Sequence, residues 1–169
     1  MRRVAAFLIF VTVNHLLVYA QQHGSVDVPP GARTILAAKG EGVQIYSCVA
    51  AQDGAKWTLK GPDAKLLDAK GEQIGTHFTG PSWKLSDGSS VVGELVATQL
   101  SPDADSVAWL LLRAKAGSAT GRLADVAFIR RTDTHGGVAS ANNCQKAGDV
   151  GKVARVRYSA AYTFYAARQ

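Results

Sequence analysis

The chain has 169 residues, 47% of them apolar, 19% charged and 8% aromatic, with 17 glycines, 5 prolines, two cysteines and a formal net charge of +6. These proportions exclude a collagen-like, coiled-coil, disulfide-dense or low-complexity chain, and the length suits one domain. The basic residues are scattered, with small groups only at Arg130-Arg131 and at Lys152, Arg155 and Arg157. A nucleic-acid-binding surface calls for a concentrated basic stripe with interleaved aromatics, so no nucleic-acid partner is expected.

Residues 1–20 read as a secretory signal peptide. Arg2 and Arg3 supply a positive start, Val4 to Val13 an apolar run, and Val18-Tyr19-Ala20 a small-x-small cleavage site before Gln21. The run is interrupted by Asn14 and His15 and is too short to span a bilayer comfortably, so no stable membrane anchor is expected after cleavage. Residues 21–169 then form a single secreted or periplasmic domain. Its cysteines, Cys48 and Cys144, are most economically joined in one disulfide in an oxidising compartment; a metal pair or a catalytic thiol lacks a CxxC motif or a nearby histidine.

Along this domain the dominant period is two. A short run at Thr34-Ile35-Leu36 precedes the alternating Val43 to Cys48, and Asp53-Gly54 reads as a hairpin turn into Lys56 to Lys60. Gly61-Pro62-Asp63 is expected to turn the chain before the segment Lys65 to Asp68, and Lys70-Gly71 to turn it again into Glu72 to Phe78. Ser82 to Leu85 and Val91 to Leu100 flank a second hairpin signal at Asp87-Gly88. Val107 to Leu112 and Val126 to Ile129 are apolar without alternation, as in strands buried on both faces. Gly136 to Gly151 is loop-like with room for a helical turn. From Arg155 to Tyr165 the even positions Val156, Tyr158, Ala160, Tyr162 and Phe164 mark a core-facing side. The expected fold is all-β: a single-domain antiparallel β-sandwich or barrel of nine or so strands, with long loops and one disulfide.

Gly42 to Cys48, Gly75 to Trp83, Trp109 to Leu112, and Ile129-Arg130-Arg131 with Thr134 to Gly137 resemble, in that order, the secreted family catalogued as domain of unknown function 3455. The resemblance runs from about Val28 to Tyr165. It implies an export signal and this pair of cysteines, and it implies no catalytic set.

The residues that carry chemistry gather in two loops. In Gly75 to Trp83, Trp83 offers a stacking platform for a sugar or flat apolar ligand beside His77, with Thr76, Thr79 and Ser82 as hydrogen-bonding groups. The plainer alternative packs Phe78 and Trp83 in the core and leaves His77 on a backbone carbonyl. In the second loop, Asp133 could orient His135, and with His77 they would make a two-histidine, one-carboxylate set able to hold a divalent metal or move a proton. His23 lies beside the expected cleavage site. No serine lies in a Gly-x-Ser-x-Gly context, and Glu94, in an apolar stretch, either is buried as a raised-pKa acid or faces water.

The favoured function is therefore non-catalytic binding of a small molecule, glycan or cell-envelope partner through His77, Trp83, Thr79, Asp133 and His135, with no cofactor and no resident metal. The alternative is a small metal-dependent or acid–base hydrolase-like enzyme using His77, Asp133 and His135.

Overall fold

A computed structural model describes residues 25–168. The expected signal peptide at 1–20 and His23 lie outside the described residues. Eight strands follow one another: β1 Arg33–Ala51, β2 Gly54–Leu67, β3 Gln73–Phe78, β4 Ser82–Leu85, β5 Ser90–Gln99, β6 Trp109–Gly117, β7 Phe128–Gly136 and β8 Val153–Ala166. Each is antiparallel to its neighbour, and β8 returns to β1, which closes the barrel. Two 3-10 turns, Ala141–Asn143 and Ala147–Asp149, occupy the expected loop. No helix among the described residues is long and apolar enough to cross a membrane.

Eight strands replace the nine or so expected because segments read separately run on as single strands. Gly40 and Gly42 continue β1 rather than interrupt it: a Cβ at Gly40 would fall 2.5 Å from Cε2 of Tyr162, and one at Gly42 2.2 Å from the Asp63 carbonyl. These glycines admit close approach. Gly61-Pro62 likewise does not turn the chain. β2 runs straight through it, with Gly61 at φ 140° beside a register shift after Ile45 on β1. Pro62 sits where β2 has a neighbour on one side only, the setting in which strand prolines are tolerated.

The upper end of the barrel carries the 52–53 hairpin, the 79–81 turn and the loops 100–108 and 137–152. The lower end carries 68–72, 86–89 and 118–127, together with the start of β1 and the end of β8. The lower half is packed solid. Leu36, Leu66, Leu85, Val91, Ile129 and Phe164 fill it, and Leu123 and Val126 of the 118–127 loop close it from below. Burying each large side chain contributes roughly 1.5–3 kcal/mol. The loop is fastened by Asp87, whose carboxylate accepts hydrogen bonds from the Ser89 hydroxyl at 2.6 Å and from the Arg122 N–H at 2.9 Å.

At the upper end Cys48 of β1 and Cys144 are joined in a disulfide with Cα atoms 5.7 Å apart. Around it Cys48 N–H donates to the Lys152 carbonyl at 2.8 Å, Ala55 N–H to Gln145 O at 3.2 Å, and the Trp57 indole to Ser140 O at 2.9 Å. The 137–152 loop is thereby bound down onto the β1–β2 hairpin.

Candidate functional site

Strand length determines where the barrel opens. β3 and β4 are short, so β2 meets β3 only from Asp63 onward, and β5 meets β4 only from Ser90 to Val92. Residues 56–62 of β2 and 94–99 of β5 therefore each lack a strand neighbour on one side, facing a notch above the Gly80-Pro81 tip. A cavity of about 420 Å³ lies behind this notch. That volume is within the roughly 300–1,000 Å³ typical of small-molecule sites.

The walls are mostly apolar: Leu59 and Pro62 of β2, Pro81 of the turn, Leu95 of β5, and Leu110 and Leu112 of β6. Three polar side chains enter this lining from inside the barrel, Gln44 of β1, His77 of β3 and Arg131 of β7, while Lys60 stands exposed at the rim.

Gln44 is the most constrained of the three. It is 1% exposed, and neither its amide nitrogen nor its amide oxygen has a hydrogen-bond partner among the described residues. An unpaired buried amide ordinarily costs about 1–3 kcal/mol, so its position facing a cavity calls for an explanation.

His77 is 2% exposed, and its ring lies 2.8 Å through Nδ1 from the Ser82 carbonyl. A carbonyl can only accept, so Nδ1 carries the proton and Nε2 is left as the acceptor. Burial pushes its pKa down to about 4; the Ser82 carbonyl opposes this and the Arg131 charge adds to it. The ring is consequently neutral at physiological pH.

Arg131 follows Ile129 by two along β7 and so shares its inward side. Its Nε and Nη2 both donate to the Ala108 carbonyl, at 3.1 and 2.7 Å. None of the ion pairs among the described residues includes it, and no carboxylate lines the cavity. Beyond lie Tyr162 and Tyr158, their hydroxyls 3.3 Å apart, with pKa values raised by burial so that both stay protonated. The Tyr46 hydroxyl donates to Gly137 O at 2.7 Å and ties β1 to the 137–152 loop.

The residues singled out from sequence are dispersed. Trp83 is 1% exposed and stacks on His77 inside the barrel, so it offers no open face for a ligand; the surface stacking platform is corrected to a core residue. Phe78, expected beside it in the core, points outward and is exposed. Thr79 is exposed at the hairpin tip, packed where a Cβ on Gly61 would come 2.6 Å from its hydroxyl.

Asp133 and His135 are both exposed and share a depression of about 140 Å³ with Asp103 and Trp109. Asp133 sits at φ 47° in the irregular part of β7, and its carboxylate accepts from Thr132 rather than orienting His135. His77 lines neither this depression nor the open groove of about 510 Å³ that His135 forms with Glu41 and Arg157. No three histidine, cysteine, aspartate or glutamate residues are grouped for a metal among the described residues, so the His77, Asp133 and His135 set does not assemble. Glu94 faces water and pairs with Arg113 at 2.9 Å, a hydrogen bond that lowers its pKa.

Sequence reasoning missed Gln44 and Arg131. The signal for Gln44 was the even-numbered series Leu36, Ala38, Gly40 and Gly42, which faces inward and ends on it. Its apolar neighbours Val43 and Ile45 pointed to the opposite phase.

No curated protein and no solved structure matches the chain. The family described as Protein of unknown function (DUF3455) matches residues 29–166, and the chain belongs to it.

Proposed function

We propose that this member of the family is an exported domain that binds a small, largely apolar molecule in the cavity lined by Gln44, His77 and Arg131, without transforming it. The observation that carries this reading is Gln44, whose donor and acceptor are both unpaired beside about 420 Å³ of apolar-walled space. A bound molecule with one polar group would supply the missing partner, and eight-stranded barrels are wide enough to hold one small ligand.

The lining supports binding over catalysis. It contains no serine, threonine, cysteine or carboxylate, and His77 is a poor base because its pKa is held near 4. Aliphatic walls suit an apolar molecule better than a glycan, which needs an open aromatic face and many polar partners. Export is supported by the signal-like residues 1–20 and by the Cys48–Cys144 disulfide.

Titration with the neutral fluorophore N-phenyl-1-naphthylamine tests the cavity. Saturable one-to-one binding is expected, and Leu110→Trp, which fills the space, should weaken it by about ten-fold or more, equivalent to about 1.4 kcal/mol. Absence of binding, or binding indifferent to Leu110→Trp in a folded variant, would refute the reading. Mass spectrometry of the exported chain, with a first residue at Gln21, tests the export component separately.

A further inference from the structure

We propose that the cavity selects organic monoanions, a single carboxylate or similar head on an apolar tail, with Arg131 as the residue that receives the head group. The proposal rests on the binding reading above and adds to it the charge of the ligand.

The argument starts from the Arg131 guanidinium. Of its five N–H donors, those on Nε and Nη2 are directed at one carbonyl oxygen, that of Ala108. This contact fixes the plane of the group, and the Tyr162 hydroxyl is a second hydrogen-bonding neighbour of it; both partners are uncharged and supply no counter-charge. The guanidinium lines the cavity, yet every other inward group there is neutral: the Gln44 amide, the His77 imidazole and the Leu110 and Leu112 side chains. The tyrosines behind it, Tyr158 and Tyr162, also stay uncharged.

A cation in a partly desolvated, mostly apolar enclosure without a counter-ion is an unusual arrangement, because charges taken out of water are ordinarily paired. The other arginines with ion-pair partners, Arg113, Arg130 and Arg155, reach carboxylates on the outside of the barrel. Arg131 is the one whose side chain enters this cavity.

One anionic head group satisfies the surroundings. It accepts from Arg131 in the planar geometry that guanidinium and carboxylate share. The Gln44 amide nitrogen supplies a second donor. The remaining space toward the notch, bounded by Leu59, Pro62, Pro81 and Leu95, takes the tail. Lys60 at the rim is solvated, so it attracts anions toward the notch without anchoring them.

A cationic amphiphile is repelled by the same group. A neutral alcohol fills the tail space but leaves the cation without its counter-charge.

The test compares octanoate, 1-octanol and octyltrimethylammonium as competitors of N-phenyl-1-naphthylamine on the full mature chain at neutral pH. Octanoate should displace the fluorophore at a concentration about ten-fold or more below 1-octanol, and the cation should be weaker still. In Arg131→Met the octanoate advantage over 1-octanol should vanish, and Arg131→Lys should retain part of it.

If octanoate and 1-octanol compete equally in the wild type, the monoanion proposal is overturned and the cavity-binding reading stands. If the fluorophore itself fails to bind, both fall. The wild-type comparison needs no variant, so it decides the proposal even where Arg131→Met does not fold.

Discussion

The imidazole of His77 lies flat against the indole of Trp83, with ring centroids 4.4 Å apart and planes 3° from parallel. Tyr162 meets both edge-on, at 5.0 and 5.7 Å. This aromatic layer separates the solid lower core from the cavity above, so the titration of His77 couples packing to solvent conditions.

Because the His77 pKa is about 4 in the folded protein against an ordinary 6.5, the unfolded chain binds more protons between these values. Its contribution is present above pH 6.5 and is lost as pH falls toward 4, a difference of roughly 3 kcal/mol. Urea denaturation across this range should show stability falling with acid, and His77→Phe, which keeps the stack, should flatten that slope. An unchanged slope would refute the assignment. Asp87, held at about 2 chiefly by the Ser89 hydroxyl and then by the Arg122 and Ser89 N–H groups, acts in a separate window below pH 3.8.

The Cys48–Cys144 disulfide closes a loop with a sequence separation of 96. Chain-entropy arguments assign such a closure roughly 4–5 kcal/mol, less any native strain. Cys48→Ser should therefore lower stability by a few kcal/mol under oxidising conditions and have little effect when the wild type is reduced. Equal losses in both redox states would show that Cys48 acts through packing instead.

Gln44→Leu should raise the stability of the ligand-free protein by about 1 kcal/mol or more, since it removes two unpaired buried polar atoms. The same change should weaken octanoate. Opposite signs in a urea melt and a binding titration identify a residue held for its ligand; a loss of stability would identify a scaffold residue.

Gly40→Ala should cost about 1–3 kcal/mol, because its methyl would lie 2.5 Å from a Tyr162 ring that is itself packed on His77 and Trp83. Gly148→Ala, with nothing within 4 Å of its Cβ, is the matched control and should be close to neutral. Similar melting temperatures for the two variants would contradict the close approach.

Much of the fold was legible because period-two alternation is a local property. Tyr158, Ala160, Tyr162 and Phe164 are buried as their even spacing implied, and the two thiols meet in the one disulfide expected. What was not legible depends on register between distant strands. Gly61-Pro62 carries the local signature of a turn, but its neighbours Leu59 and Asp63 are held in one ladder by Tyr46 and Val43 of β1. Arg131, beside Arg130, resembled surface charge; only the continuation of Ile129 inward by two places it inside. Trp83 and His77 were correctly paired as neighbours, yet sequence proximity gives no sign of which side of the wall they occupy.

The closing of the barrel by its first and last strands has a consequence for how the chain is made. β1 is complete in sequence at Ala51, but its second ladder waits for Val153 to Ala166, the last strand. A chain emerging from its N-terminus cannot finish the barrel until β8 has appeared, and pairings so remote in sequence form slowly. Such a topology leaves the sheet open at both edges until its first and last strands meet. It also makes the C-terminal strand the step that commits the molecule: removing β8 would leave β1 and β7 as facing open edges and a chain prone to association rather than a smaller barrel.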